Sequence, residues 1–250
     1  LNHFTRMFSM PGFWRAFGNT LVLSITKLIL NTGMAVVISV LLNELIFLKF
    51  KKLFQTIVYI PHFMSWVVTA SIFSMILSPT SAGLVNEMLM KMNLITENIY
   101  FLGDQKWWRF AYYIINIWKD TGWGTIIFMA TLAGISPELY EAASMDGANR
   151  FEKMIYITLP ALNNTIVTVL VLNLAKVMNL FESVFVLQND AVTNVSDVLQ
   201  TYIYTQTFNS GALPDYGYTT AVGLFSSIIS CILVVTCNRV SHKTRGRGIV

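Results

Sequence analysis

The chain has 250 residues, 17 of them basic and 13 acidic, so charge makes up 12% of it, against about 25% in an ordinary soluble domain. Hydrophobic residues reach 54%, with 17 Phe, 6 Trp and 10 Tyr, and the mean hydropathy is +0.58; a core of this length cannot hide so much apolar surface, so the surplus faces lipid. The net charge of +4 comes from short basic clusters between apolar segments, which excludes a nucleic-acid-binding face and reads as a topology signal.

Residues 1–18 mix Phe4, Phe8, Phe13, Trp14 and Phe17 with Arg6 and Arg15, the pattern of a helix lying in the membrane interface or of a plain juxtamembrane turn. Five stretches long and apolar enough to span a bilayer follow, at 19–43, 53–77, 107–134, 161–187 and 218–240. The expected architecture is an all-α polytopic membrane protein whose 19–240 region is one transmembrane domain, ending in a basic tail at 241–250. Cys231 and Cys237 stand six residues apart in one span, about 9 Å along a helix, too far to bridge within it; they read as small apolar fillers.

Basic residues set the orientation. Lys49, Lys51 and Lys52 follow the first span, and Arg239, Lys243, Arg245 and Arg247 follow the last with no acid among them. Both clusters belong on the cytoplasmic side. The 188–217 connection holds Asp190, Asp197 and Asp215 and no Lys or Arg, and 78–106 has only Lys91 and Lys106 as basic residues, so both belong outside. Five spans with a cytoplasmic C-terminus leave residue 1 outside, which points to a six-span protein whose first helix precedes Leu1.

The 135–160 connection is cytoplasmic by alternation, yet Glu138, Glu141, Asp146 and Glu152 outnumber Arg150 and Lys153. Its sequence has another purpose. Ser136-Pro137-Glu138 is a helix start with a hydroxyl cap, a proline at the first position and an acid near the positive dipole end. Two turns from Leu139 to Met145 should end where Gly147 takes positive φ, and Ala148–Thr158 should resume a helix until Pro160 breaks it. Ala142, Ala143 and Ala148 let another backbone approach closely.

Glu141-Ala142-Ala143, Asp146-Gly147-Ala148 and Ile157-Thr158-Leu159-Pro160, with nine residues between Gly147 and Ile157, resemble the cytoplasmic EAA signature of permease subunits in binding-protein-dependent ABC importers. Phe13 through Asn19-Thr20-Leu21 is similar to the start of that family's first core helix, and Tyr59-Ile60-Pro61 to the break in the next. Asp197–Tyr204 with Tyr218–Leu224 looks most like permeases for oligosaccharides or polysaccharide fragments. The resemblance implies a six-helix type I importer fold in a multi-pass subunit of the bacterial cell membrane. It implies coupling to the ATPase through Glu141, Ala142, Ala143, Asp146, Gly147, Ala148, Leu159 and Pro160. The implied partners are a second homologous permease, two ABC ATPase subunits and an extracytoplasmic sugar-binding protein, with no nucleic acid. No cofactor is expected in this chain, since ATP and Mg would sit on the ATPase subunits.

Charges within spans usually face a cavity or a partner. Lys27, Lys119, Asp120, Lys176 and Glu182 lie in the expected spans, although Lys119 and Asp120 would sit in the interface zone if that helix were shifted by a turn. Asn173, Lys176, Asn179 and Glu182 recur every three residues, a slowly winding polar band on an α-helix that suits an aqueous path or helix–helix hydrogen bonding. Trp118, Trp123 and Tyr113 offer flat faces for pyranose rings, while Trp107 and Trp108 suit an interfacial belt. The expected substrate path is therefore Trp118, Lys119, Asp120, Trp123, Asn173, Lys176, Asn179 and Glu182. His3, His62 and His242 are scattered, and the sequence has no phosphate-cradling loop, nucleophile elbow or metal-ligand set, so the chain is expected not to be an enzyme. The alternatives are a polyamine or peptide cargo in the same machine, or a gated channel, which would leave the 135–160 loop unexplained.

Overall fold

A computed structural model describes residues 2–80, 83–209 and 214–245, with side chains to residue 239. The described residues form helices and no strand: α1 (Asn2–Ser9), α2 (Pro11–Glu44), α3 (Leu48–Tyr59), α4 (Trp66–Ile76), α5 (Leu84–Lys91), α6 (Gln105–Ala133), α7 (Pro137–Met145), α8 (Arg150–Leu174), α9 (Glu182–Phe185), α10 (Thr193–Ser196), α11 (Leu199–Phe208) and α12 (Tyr216–Arg245). Three of these, α2, α8 and the Tyr216–Arg239 part of α12, are long and apolar enough to cross a membrane, and the broken pair α3 and α4 can supply a fourth crossing. At 29 residues α6 is about 43 Å long, enough to span a bilayer, but Lys106, Arg109, Lys119 and Asp120 interrupt its apolar surface.

Four expectations change. The helix that carries the first span starts at Pro11 rather than residue 19, because proline at a helix start loses no hydrogen bond. The 53–77 stretch is not one continuous helix: α3 ends at Tyr59, at the break the resemblance implied, a tight turn covers Ile60–Phe63, and α4 restarts with the Ser65 hydroxyl accepting from the Val68 N–H. Pro160 does not break its helix. Residues 154–158 form a π-turn in which Leu159 N–H bonds to the Met154 carbonyl, and this wider turn relieves the clash between the proline ring and the carbonyl four residues back. The expected 161–187 span ends early, at Leu174.

The chain folds as two compact units, the first of residues 1–27, 64–116 and 174–236 and the second of residues 28–63, 117–173 and 237–250. In the first, Leu23, Ala70, Tyr112, Ile115, Val184 and Val192 enclose Trp108. Trp108 is fully buried, stacks on Tyr112 and donates its indole N–H to the Leu187 carbonyl at 2.9 Å, so it belongs to the core and not to an interfacial belt. Met7, Phe13, Met178, Leu199, Tyr218 and Val222 form a second cluster, which holds α1 against α12. The loop before α11 is pinned by Asn19, whose amide donates to the carbonyls of Asn194 and Asp197, and by Arg109, which donates to Asn19 and the Val195 carbonyl. Burial pushes the Asp197 carboxyl above its usual range, against the Thr201 hydroxyl and the nearby Arg15.

The second unit packs Ala35 and Val40 of α2, Phe128 and Leu132 of α6, and Leu162 and Val169 of α8. Glycine permits one close approach here. A Cβ on Gly122 would meet the Val58 carbonyl oxygen and lie 3.0 Å from Tyr59 Cα, and neither backbone atom can rotate away. Gly122→Ala is therefore predicted to destabilise the assembled protein by about 1–3 kcal/mol, despite the usual gain of alanine in a helix. A lower melting temperature of the purified complex checks this; an unchanged or higher one refutes it.

Candidate substrate path and coupling loop

Helix α7 begins as expected at Pro137, but the Ser136 hydroxyl makes no cap hydrogen bond; the proline already removes one donor that a cap would satisfy. The helix ends in a Schellman motif, with Ala148 N–H bonding to the Ala143 carbonyl and Gly147 N–H to the Ser144 carbonyl. Gly147 has φ +83°. The next helix starts with a capping box that sequence reasoning missed although its signal is local: the Asn149 side chain accepts from Glu152 N–H and the Glu152 carboxylate from Asn149 N–H. Two bonds then brace the corner, Lys153 Nζ to Ser144 Oγ at 2.6 Å and a shared Tyr140–Thr158 hydroxyl pair at 3.0 Å.

Glu141, Ala142, Asp146, Leu159 and Pro160 are exposed, and Ala143 and Ala148 half-buried. Beside them the corner presents Met145 at 89% exposure, with Leu139, Phe151 and Tyr156 also largely bare. No Cβ contact would form at Gly147 within 4 Å, so conformation and not internal crowding demands the glycine. The result is a rigid, braced corner with an apolar rim.

Of the expected path residues, the structure gathers three around one that sequence reasoning set aside. His62, in the turn after α3, receives the Lys119 ammonium on its carbonyl at 3.1 Å. Its Nδ1 lies 3.6 Å from Asp120 Oδ1, and its ring stacks on Trp123 with centroids 5.2 Å apart. Lys119 is 4% exposed: its cation meets a carbonyl that the helix break leaves without a helical partner. Trp123 and Trp118 are exposed. Tyr113, another expected ring face, bonds through its hydroxyl toward the Val22 carbonyl at 3.4 Å.

The polar band does not wind along a helix. Asn173 lies in the last turn of α8, in the second unit, whereas Lys176, Asn179 and Glu182 follow in the first unit, where residues 175–181 are unwound. The unwound stretch is tied down: the Ser24 hydroxyl donates to the Val177 carbonyl, and Asn179 N–H bonds to the Lys176 carbonyl at 2.9 Å. Val177 and Met178 are buried while Lys176, Asn179 and Glu182 are exposed. Non-helical backbone at membrane depth persists where protein or a water-filled cavity satisfies it. Such breaks are where discontinuous helices present polar groups to a substrate. Phe181 and Phe185 stack at 4.9 Å, and Tyr204 packs edge-on to Phe185 at 5.0 Å; this aromatic cluster, joining two elements far apart in sequence, was also missed. Among the described residues no group of three or more His, Cys, Asp or Glu could hold a metal.

Comparison with known proteins places these features in a family. The model of the binding-protein-dependent transport system inner membrane component matches residues 35–245. The polygalacturonan/rhamnogalacturonan transport system permease protein YteP of Bacillus subtilis (strain 168) is 40% identical over 250 residues, covering 100% of this chain and 76% of that protein. A bacterial ABC transporter that imports the acidic polysaccharide alginate aligns with TM-score 0.91 and 35% identity over 98% of this chain and 84% of that one. The bacterial alginate ABC transporter in complex with its alginate pentasaccharide-bound periplasmic protein aligns with TM-score 0.92 and 34% identity over 100% of this chain and 85% of that one.

Proposed function

The chain belongs to the family of binding-protein-dependent transport system inner membrane components, and we propose that this sugar ABC importer permease translocates an oligosaccharide carrying uronate carboxylates. It is a membrane protein and not itself an enzyme. The cargo class is drawn from YteP and the alginate importer, named for polymers built from or rich in uronic acids. The mechanism is alternating access: ATP-driven closure of two ATPase subunits pushes on the 135–160 corner, and the spans pass between outward- and inward-open states. A second permease completes the path, an extracytoplasmic binding protein delivers the sugar, and ATP and Mg are bound by the ATPase subunits.

The observation that carries this reading is the corner at Gly147, a rigid element braced by two hydrogen bonds yet rimmed by exposed Met145, Phe151 and Tyr156. Bare apolar side chains on a polar loop mark a surface that another protein covers. For the cargo, Trp118 and Trp123 offer ring faces in the second unit, where Asp120 and Asn173 can exchange hydrogen bonds with hydroxyls, and Asn179 and Glu182 offer the same chemistry in the first. The test is the ATPase activity of the purified complex. Liganded binding protein should stimulate it, and the same protein without sugar should do so less; equal hydrolysis in both conditions overturns the reading.

Orientation gives a separate prediction. In a background lacking Cys231 and Cys237, cysteines at Lys51 and Arg245 should be shielded from an impermeant thiol reagent in intact cells, and one at the exposed Asn194 should react. External labelling at Arg245 reverses the assigned topology.

A further inference from the structure

Resting on the proposals that the cargo carries uronate carboxylates and that the 175–181 break lies on its path, we infer that Lys176 is the residue that selects for the carboxylate charge. Helix α8 stops at Leu174, and the chain turns so that Val177 and Met178, at 3% and 2% exposure, point into the protein while Lys176 and Asn179 stay exposed. The Ser24 bond to the Val177 carbonyl fixes that turn from the neighbouring α2. The direction of Lys176 is thus set by its neighbours' burial.

Its charge is not spent inside the protein. Among the described residues no carboxylate lies within 4 Å of the Lys176 ammonium; the nearest acid in the sequence, Glu182, is exposed and makes no ion pair with it. This contrasts with Lys119, which is buried and committed to the His62 carbonyl. The break therefore carries the exposed Lys176 ammonium with no carboxylate within 4 Å of it among the described residues. Ionisable side chains of membrane proteins that lack a counter-charge within the protein mark ion and substrate pathways. An anion passing the break supplies the missing counter-charge, and does so transiently, as transport needs. Asn179, exposed three residues on, supplies an amide for the adjoining hydroxyls. A neutral sugar gains nothing from the ammonium beyond one hydrogen bond, which is how the site discriminates.

The experiment uses the complete complex in proteoliposomes with saturating binding protein and labelled trigalacturonate. Lys176→Gln keeps a polar group of similar reach and should lower the maximal uptake rate about tenfold, whereas Lys176→Arg should stay within about twofold of the unmutated rate. ATPase retention and melting temperature should be unchanged in both, since the side chain is exposed. Trigalacturonate uptake by Lys176→Gln at the unmutated rate overturns the inference. Asn179→Leu, measured in parallel, separates the premises: loss there with an unaffected Lys176→Gln overturns charge selection alone, and no effect of either overturns the path as well. An unmutated complex that accumulates a neutral oligosaccharide but not trigalacturonate overturns the acidic cargo and the inference with it.

Discussion

Gly147→Asp should leave the permease folded but abolish most coupled transport. The residue sits at φ +83° with open space where a side chain would project, so the protein itself asks only for the left-handed conformation, which costs a non-glycine residue about 1–2 kcal/mol and aspartate less than most. What the substitution adds is a negative charge and bulk on the corner between exposed Glu141, Ala142 and Asp146, the surface proposed to seat in the ATPase. Uptake should fall at least about tenfold, equivalent to about 1.4 kcal/mol of coupling, with loss of ATPase co-purification or of cargo-stimulated hydrolysis. Arg150→Ala, on an exposed side chain that the bracing bonds do not use, should stay within about twofold. Retention of all three activities by Gly147→Asp while Arg150→Ala loses them would move the transmission element elsewhere.

The second large effect is expected at the His62 cluster, where two residues on one helix should fail in different ways. Trp123 is half exposed and stacks on His62, so Trp123→Ala removes a ring face from the proposed path with little packing loss and should cut uptake about tenfold at unchanged melting temperature. Lys119→Met leaves the part-buried His62 carbonyl without its donor, and should cost about 1–3 kcal/mol in stability. Melting curves and uptake on the same preparations separate the two roles. Equal loss of stability in both variants would make Trp123 a packing residue and remove it from the path.

Where the sequence was legible, the cause was local. Pro137 and Gly147 specify a start and a stop through their own backbone chemistry, and the corner stands where that chemistry puts it. The failures have distant causes. Ala175, Lys176, Val177 and Met178 contain no helix breaker; the helix ends before them because a hydroxyl 153 positions away takes the Val177 carbonyl and two side chains bury. His62 looked isolated because Lys119, Asp120 and Trp123 come to it from another helix 57 or more positions on. Pro160 misled in the opposite sense, since a π-turn absorbs it without ending the helix. In membrane-spanning segments nearly every residue is apolar, so periodicity says little about where helices break, and tertiary hydrogen bonds decide.

One measurement bears most directly on the claim that this chain is the permease of an ATP-driven sugar importer. The complete complex is reconstituted in sealed vesicles with binding protein and labelled oligosaccharide on one side and ATP with Mg on the other, and internal sugar is followed beyond equilibration. Accumulation above the external concentration that requires ATP, the binding protein and this chain together is the predicted result. Equilibration that proceeds equally without ATP, never exceeding the external concentration, would contradict it and mark the protein as a gated channel.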